Sequence, residues 1–378
     1  MEHHSPHIVF LFSDTGGGHR SAAEAIIGAL EHDYSGQFTW KMVDILRDYA
    51  PPPLDRLPDI YLPISRHPEL LGKIFQVSDN PQRIRVILNI LWPYLRPRLK
   101  RLIKESQADL FVSVHPLINL PLGHAFHKFG METPWVTVVT DLVSAHTSWF
   151  TIHAPLIVVP TEDARQVGLK SGIPADRVKV VGLPVSAVFG RRNFDSRTIR
   201  LRLGWPPDVP LVLLMGGGEG MGQLEDVAAA LDEAALPVTL VIVAGRNKAL
   251  QQRLEARAWK TPTFVYGFVQ EMPDFMHAAY MLLTKAGPGT LSEAINAGLP
   301  MILYDRVSGP EDGNVSYIVD HNAGVWAPRP DLVVSNVIRW LDHPDEQRCH
   351  VSACLALAHP QAASEIARLI MTQVQGNV

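Results

Sequence analysis

Two glycine-bearing stretches hold the residues best suited to chemistry. In the first, Gly16, Gly17 and Gly18 lead directly into His19, which opens an alanine-rich helix expected to run to about Leu30. A helix start presents unpaired N–H dipoles that disfavour an imidazolium, so His19 should be neutral and able to take a proton. A histidine merely hydrogen-bonded to its loop fits the same local sequence. In the second stretch, T-K-A-G-P-G-T-L-S-E-A-I-N-A-G-L-P from Thr284 to Pro300, a buried strand gives way to a turn at Gly287 and Gly289 and then to a helix ending at Gly298. Glycines let backbone N–H groups come close to a ligand, and the positive end of the helix dipole suits a phosphate. Lys285 and Thr290 flank that turn, and Glu293, about one turn into the helix, is placed to accept hydrogen bonds from sugar hydroxyls.

These stretches need a frame to hold them. The run H-I-V-F-L-F from His7 to Phe12 reads as a strand buried on both faces of a parallel sheet, so the first glycine loop lies at a strand's C-terminal edge, where such sheets bind ligands. The loop lacks the Gly-Lys-Ser/Thr of a Walker A motif and does not fit G-x-G-x-x-G. Further strands are expected at Ala108 to His115, Pro134 to Asp141, Leu156 to Pro160 and Val178 to Val181, and Asp141 and His146 follow strand ends where functional groups gather. Asp141 could equally be a helix cap and His146 a surface residue.

The pattern restarts at Leu211 to Met215, followed by G-G-G-E-G-M-G and a helix. Val238 to Ala244, Thr263 to Val265 and Met301 to Tyr304 are further expected strands. The fold class is therefore α/β, with two doubly wound halves whose strand ends would line a cleft. Residues 1–185 form the first half, the arginine-rich segment 186–210 a linker, and residues 211–378 the second half, its last helix a candidate to pack back on the first. A length of 378 residues agrees with two domains of roughly 150–200 residues.

The second half suits a nucleoside diphosphate carrying a sugar. Gly217, Gly218, Gly287 and Gly289 could approach phosphates, the backbone at Phe268 and Val269 could pair with a base edge, and Glu311 and Asn314 could read sugar hydroxyls. With no Asp-x-Asp and no paired-histidine spacing, phosphate charge would be met by helix ends and Lys285 or an arginine, with no metal site expected.

Composition narrows the classes further. Hydrophobic content of 47% with 19% charged residues describes an ordinary globular protein, and a net charge of −4 gives no sign of nucleic-acid binding. Two cysteines are too few for a disulfide framework, and the chain enters its first strand without a secretory signal, so a cytoplasmic location is expected. No apolar run approaches the ~20 residues needed to span a bilayer. From Arg83 to Lys104, however, seven basic residues and no acidic one interleave with apolar and aromatic side chains, including Trp92, Arg96, Arg98, Lys100 and Arg101. Such a stretch can lie on an anionic membrane, which would make any attachment peripheral, or it can be a helix with one core face and one solvated face.

Five ordered blocks, G-G-G-H-R-S-A-A-E-A-I, V-T-D-L-x-x-x-H-x-x-W-F, M-G-G-G-E-G-M-G, T-K-A-G-P-G-T-L-S-E-A and P-E-D-G-N-V-S-Y-I-V, resemble the monogalactosyldiacylglycerol synthases. The resemblance covers most of the chain, in order, from Ile8 to about Trp326. Processive diacylglycerol glucosyltransferases share the layout, and the bacterial enzyme that adds N-acetylglucosamine to the lipid-linked cell-wall precursor shares the second glycine–glutamate box more loosely. The resemblance implies a GT-B fold and an inverting, metal-independent transfer from a UDP-sugar, a substrate rather than a cofactor, to the hydroxyl of diacylglycerol. It makes His19 the general base, with Asp141 competing or assisting. It puts the leaving diphosphate at Gly287–Gly289, with the Gly16–Gly18 loop a further candidate. It also favours contact of residues 83–104 with an anionic lipid surface such as phosphatidylglycerol.

The chain departs from the family's Gly-Gln-Glu at Gly309-Pro310-Glu311, which leaves both galactose and glucose open as the donor sugar, and residues 51–81 do not match in detail. Other readings are a glucosyl- or N-acetylglucosaminyltransferase with another lipid acceptor, a UDP-sugar epimerase, or a nucleotide-sugar-binding protein without catalysis.

Overall fold

A computed structural model of the chain describes residues 5–15, 18–65, 68–192 and 194–375. Among the described residues twelve strands form two parallel six-stranded sheets. In the first lie β1 (His7–Phe12), β2 (Thr39–Asp44), β3 (Leu110–Ser113), β4 (Trp135–Val138), β5 (Leu156–Val159) and β6 (Val178–Val180), in the order β2-β1-β3-β4-β5-β6. In the second lie β7 (Leu211–Met215), β8 (Thr239–Val243), β9 (Thr263–Tyr266), β10 (Met281–Lys285), β11 (Met301–Asp305) and β12 (Gly324–Trp326), in the order β12-β11-β10-β7-β8-β9. The chain reverses its direction of travel across the sheet at β1/β3 in the first unit and at β7/β10 in the second. In parallel α/β sheets the crevice at such a switch point is where ligands bind.

Alternation along β1 shows why an apolar run makes a central strand. Ile8, Phe10 and Phe12 face one core, shared with Ala23, Ile26 and Leu30 of the helix Gly18–Asp33. Val9 and Leu11 face the opposite core, shared with Leu99 and Leu102 of the helix Pro81–Ser106 and Leu122 and Phe126 of the helix Pro116–Phe129. Both faces are dry, so polar alternation disappears from the sequence.

The first compact unit comprises Met1–Val185, Ser308–Pro310 and Gln361–Val378, and the second comprises Ser186–Val307 and Glu311–Pro360. The C-terminal helix Ala362–Gln375 buries Ile366, Ile370 and Val374 in the core that also holds Ile26 and Leu30. The polar segment 186–210, read from sequence as a linker, belongs to the second unit and contains the helix Ser196–Arg202, capped by the Asp195 side chain on the Arg197 and Thr198 N–H groups.

Among the described residues no helix is long and apolar enough to cross a membrane. The basic stretch forms part of one 26-residue helix, Pro81–Ser106, that continues through Pro93 and Pro97. Its faces differ. Leu99 and Leu102 are in the core, while Val86, Ile87, Ile90 and Tyr94 are 58%, 46%, 66% and 61% exposed.

Candidate functional site

At the switch point of the first unit, three loops converge on His19. Gly18 and His19 begin the helix after β1, and a Cβ on Gly18 would meet nothing within 4 Å, so the backbone there borders open space. Gly16 and Gly17 lie outside the described residues. His19 Nδ1 is 2.9 Å from Thr140 Oγ1, just beyond β4. The ring also packs edge-on against His115, with centroids 4.6 Å apart, beyond β3. Burial lowers the His19 pKa to about 4, against opposing pulls from the Val114 carbonyl and the Asp14 carboxylate. The imidazole is therefore neutral at pH 7, the state a proton acceptor needs.

Asp141 follows Thr140. Its Oδ2 accepts from Trp149 Nε1 at 2.6 Å and from the His146 backbone N–H at 3.5 Å, so the carboxylate is anchored by a fully buried indole. His146 is buried, caps the short turn Thr147–Trp149 by accepting from Ser148 N–H, and packs against Phe75 with ring centroids 5.0 Å apart. That is the setting of a packing residue.

At the switch point of the second unit, the loops after β7 and β10 come together. A register shift between Thr284 and Lys285 in the β10–β11 pairing re-aims the strand end. Lys285 Nζ is 2.6 Å from Glu311 Oε1, and Glu311 Oε2 accepts from the Val307 N–H at 2.7 Å. A Cβ on Gly287 would lie 3.0 Å from Lys285 Nζ and 3.6 Å from Glu311 Oε1, so this glycine makes room for the ion pair. A Cβ on Gly289 would meet nothing within 4 Å. The helix Pro288–Ala297 starts here with Gly287 as a cap that offers no side chain. The N–H groups of Gly289 and Thr290, in the first turn, have no intrahelical partner, and the backbone at Gly289 borders open space.

The side chain of Glu293, one turn in, has no hydrogen-bond partner among the described residues. Burial raises its pKa to about 8. Asn314 is 1% exposed and donates through Nδ2 to the Ala286 carbonyl at 2.9 Å. It braces the β10 loop from within, and its Oδ1 is buried without a partner among the described residues. Glu311, 6% exposed with both oxygens engaged, is likewise held inward.

Two glycines after β7, Gly216 and Gly220, serve loop packing. Gly217 has φ +70°, a backbone state glycine favours, and Cβ atoms on Gly216 and Gly220 would lie 2.2 Å and 2.1 Å from the carbonyl oxygens of Met221 and Ala244. Gly218 sits under Arg246, whose Nη1 would be 3.2 Å from a Cβ there. Arg246, which sequence reasoning did not single out, pairs with Glu219 at 2.9 Å and lies 4.4 Å over the ring of Phe268, itself 57% exposed. The one available signal was its position beyond the end of β8. Val269, beside Phe268, has no backbone hydrogen bond among the described residues.

Among the described residues no group of three or more His, Cys, Asp or Glu could hold a metal ion.

Residues 19–185 match the monogalactosyldiacylglycerol (MGDG) synthase family model, and residues 211–367 match the glycosyltransferase family 28 C-terminal domain. The chain is 34% identical to the probable monogalactosyldiacylglycerol synthase 2, chloroplastic, of Oryza sativa subsp. indica, over 96% of this chain and 79% of that protein. It belongs to the monogalactosyldiacylglycerol synthase family.

Another relative is monogalactosyldiacylglycerol synthase 1, chloroplastic, of Arabidopsis thaliana, 33% identical over 95% of this chain and 69% of that protein. Acinetobacter baumannii MurG superposes with a TM-score of 0.64 at 18% identity, covering 97% of this chain and 99% of that one. UDP-GlcNAc 2-epimerase from Neisseria meningitidis bound to UDP-GlcNAc gives 0.60 at 14% identity, covering 98% and 100%. The two parallel sheets and these neighbours make the fold GT-B. The synthase-family match begins at His19, and the glycosyltransferase match spans the β7 and β10 loops, Glu293 and Glu311.

The basic helix bonds to side chains and rings of the first unit. Trp92 packs edge-on against His124, with centroids 4.3 Å apart, and joins the first unit's core. Lys100 lies 5.2 Å over Phe129 and Arg101 4.8 Å over Tyr49, so both cations rest on the protein's own rings. Arg96 is exposed, and Arg98 reaches back to the Tyr94 carbonyl at 3.0 Å.

Proposed function

We propose that this member of the synthase family transfers a galactosyl group from UDP-galactose to the free hydroxyl of 1,2-diacylglycerol, forming monogalactosyldiacylglycerol, by a single inverting displacement without a metal ion. The observation that carries the mechanism is a neutral, half-buried His19 in the family's first block, its ring fixed by Thr140. The lipid hydroxyl oxygen attacks the anomeric carbon as the bond to the β-phosphate oxygen of UDP breaks. The hydroxyl proton passes to His19, and UDP leaves with the bonding pair. Attack opposite the leaving group converts an α-linked donor into a β-linked product.

Donor binding falls to the second unit. Glu293 takes the ribose hydroxyls, the open N–H groups at Gly289 and Thr290 take the diphosphate, and Lys285 adds positive charge there. Phe268 and the backbone of Val269 receive the base, with Arg246 stiffening Phe268 from behind. Glu311 and Asn314 act by holding Lys285 and the β10 loop. The diacylglycerol substrate places the reaction at a membrane, and the exposed apolar residues Val86, Ile87, Ile90 and Tyr94, with Arg83, Arg85 and Arg96 nearby, form a peripheral anionic-lipid surface.

Incubation with UDP-galactose, dispersed diacylglycerol and a chelator should yield a β-galactosyl lipid, identified by the coupling constant of its anomeric proton. An α-linked product, or strict dependence on Mg²⁺ or Mn²⁺, would overturn the mechanism.

A further inference from the structure

His115 ends the segment after β3 and caps the helix Pro116–Phe129. It is 2% exposed, and the backbone N–H of Leu117 donates to its Nδ1 at 3.3 Å. An Nδ1 that accepts carries no proton, and burial, with the neighbouring His19, keeps the ring uncharged. The single ring proton must then sit on Nε2, which is 3.0 Å from Thr15 Oγ1. Thr15 therefore accepts from His115 and keeps its own hydroxyl proton to donate. It has no other side-chain partner among the described residues. Thr15 belongs to the loop between β1 and His19, and His115 touches both members, bonding Thr15 and packing edge-on at 4.6 Å against His19.

We propose that Thr15 is a substrate-contacting hydroxyl and that His115 is its positioning residue, fixing its proton to point at an oxygen of the substrate bound beside His19. This rests on the reading of His19 as the base. The chemistry is one extra donor at the reacting end of the first unit, held in register by a histidine whose tautomer the helix cap dictates. Donor binding is assigned to the second unit, so loss of this contact should show in turnover and leave donor affinity alone.

The test uses the full chain and four variants. His115→Asn keeps a good helix cap but is too short to reach Thr15, Thr15→Val removes the hydroxyl, Thr15→Ser restores it, and the fourth combines His115→Asn with Thr15→Val. Expected for His115→Asn is a fall in kcat of about tenfold or more, the scale that slight misplacement of a reacting group produces, with KM for UDP-galactose within about twofold. Thr15→Val should match it, the double variant should lose no more than either alone, and Thr15→Ser should recover most of the loss.

Wild-type kcat in either single variant, or losses that multiply in the double variant, would overturn the proposal. Thr15→Val and Thr15→Ser answer the question even if His115→Asn melts early. Independent of turnover, nitrogen NMR of the histidine rings, with the His115 signal assigned by its absence in His115→Asn, should show the Nε2–H tautomer at pH 7. An Nδ1–H tautomer or an imidazolium would refute the proposal whether or not the galactosyl reading holds.

Discussion

His19 Nδ1 lies 2.9 Å from Thr140 Oγ1, joining the helix that follows β1 to the residue that follows β4. The contact orients the ring, and burial keeps it neutral at pH 7, the state in which an imidazole can take a proton.

His19→Ala should lower kcat by about 10² or more while UDP binding survives, because the substitution removes a base and leaves the second unit untouched. Turnover compared with calorimetric UDP affinity checks it, and near-normal turnover would remove His19 from the role.

The pH profile follows from the same residue. Folded His19 has its pKa lowered to about 4, below the ordinary value of 6.5, so kcat/KM should stay level from neutral pH downward and fall only as pH nears 4. For stability the sign is fixed by linkage. Between those two values the unfolded chain binds the extra proton, so this residue's contribution is complete above about 6.5 and is lost as pH falls towards 4. Chemical denaturation across that window, compared with His19→Ala, should show the slope in wild type alone.

Glu293 behaves in the opposite sense. Its folded pKa is raised to about 8, so the unliganded protein holds the carboxyl protonated at pH 7, and stability from this group declines as pH rises from 4.5 to 8. Ribose hydroxyls donating to the carboxylate favour the ionised form, so UDP binding near pH 7 should release a proton. Calorimetry in two buffers of different ionisation enthalpy measures it. Release should vanish in Glu293→Gln, and an equal release in that variant would contradict the assignment.

The Lys285–Glu311 pair is 15% and 8% exposed at its side chains. Glu311→Ala strands a buried ammonium and the Val307 N–H, and should cost about 3 kcal/mol or more in denaturant unfolding. Adding Lys285→Met should recover part of the loss, since the stranded charge is then gone.

Ile90 and Tyr94 are 66% and 61% exposed, so Ile90→Ser with Tyr94→Ser should leave the melting temperature nearly unchanged. The pair should weaken flotation with phosphatidylglycerol vesicles, and wild-type binding should fall with added salt. Lys100 and Arg101 sit on Phe129 and Tyr49, so substitutions there should act more on stability. Salt-insensitive binding, or none, would return the helix to an ordinary solvated surface.

Much of this was legible in the sequence because its signals are local. Strands such as His7–Phe12 read as unbroken apolar runs since both faces of a parallel sheet are covered. His19 and Glu293 stood out because a helix start and a position one turn in are fixed by spacing. What stayed hidden depends on partners distant in sequence. The missing Cβ atoms of Gly216 and Gly220 make room for the carbonyls of Met221 and Ala244, contacts that the run G-G-G-E-G-M-G does not announce. Glu311 carries oxygens suited to a sugar yet engages both with Lys285 and Val307, and Asn314 turns its Nδ2 to Ala286. Trp92 suits a membrane by type but packs on His124, which no periodicity predicts. Thr140, the partner of His19, sits one residue before the conspicuous Asp141.

The central claim is the transfer itself. Purified protein should be incubated with dioleoylglycerol and, in parallel, UDP-galactose or UDP-glucose, and the lipids extracted and identified by mass and sugar analysis. A galactosyl diacylglycerol formed from UDP-galactose, well ahead of any glucosyl product, is the predicted result. No glycolipid from either donor, or a glucosyl product alone, would contradict it.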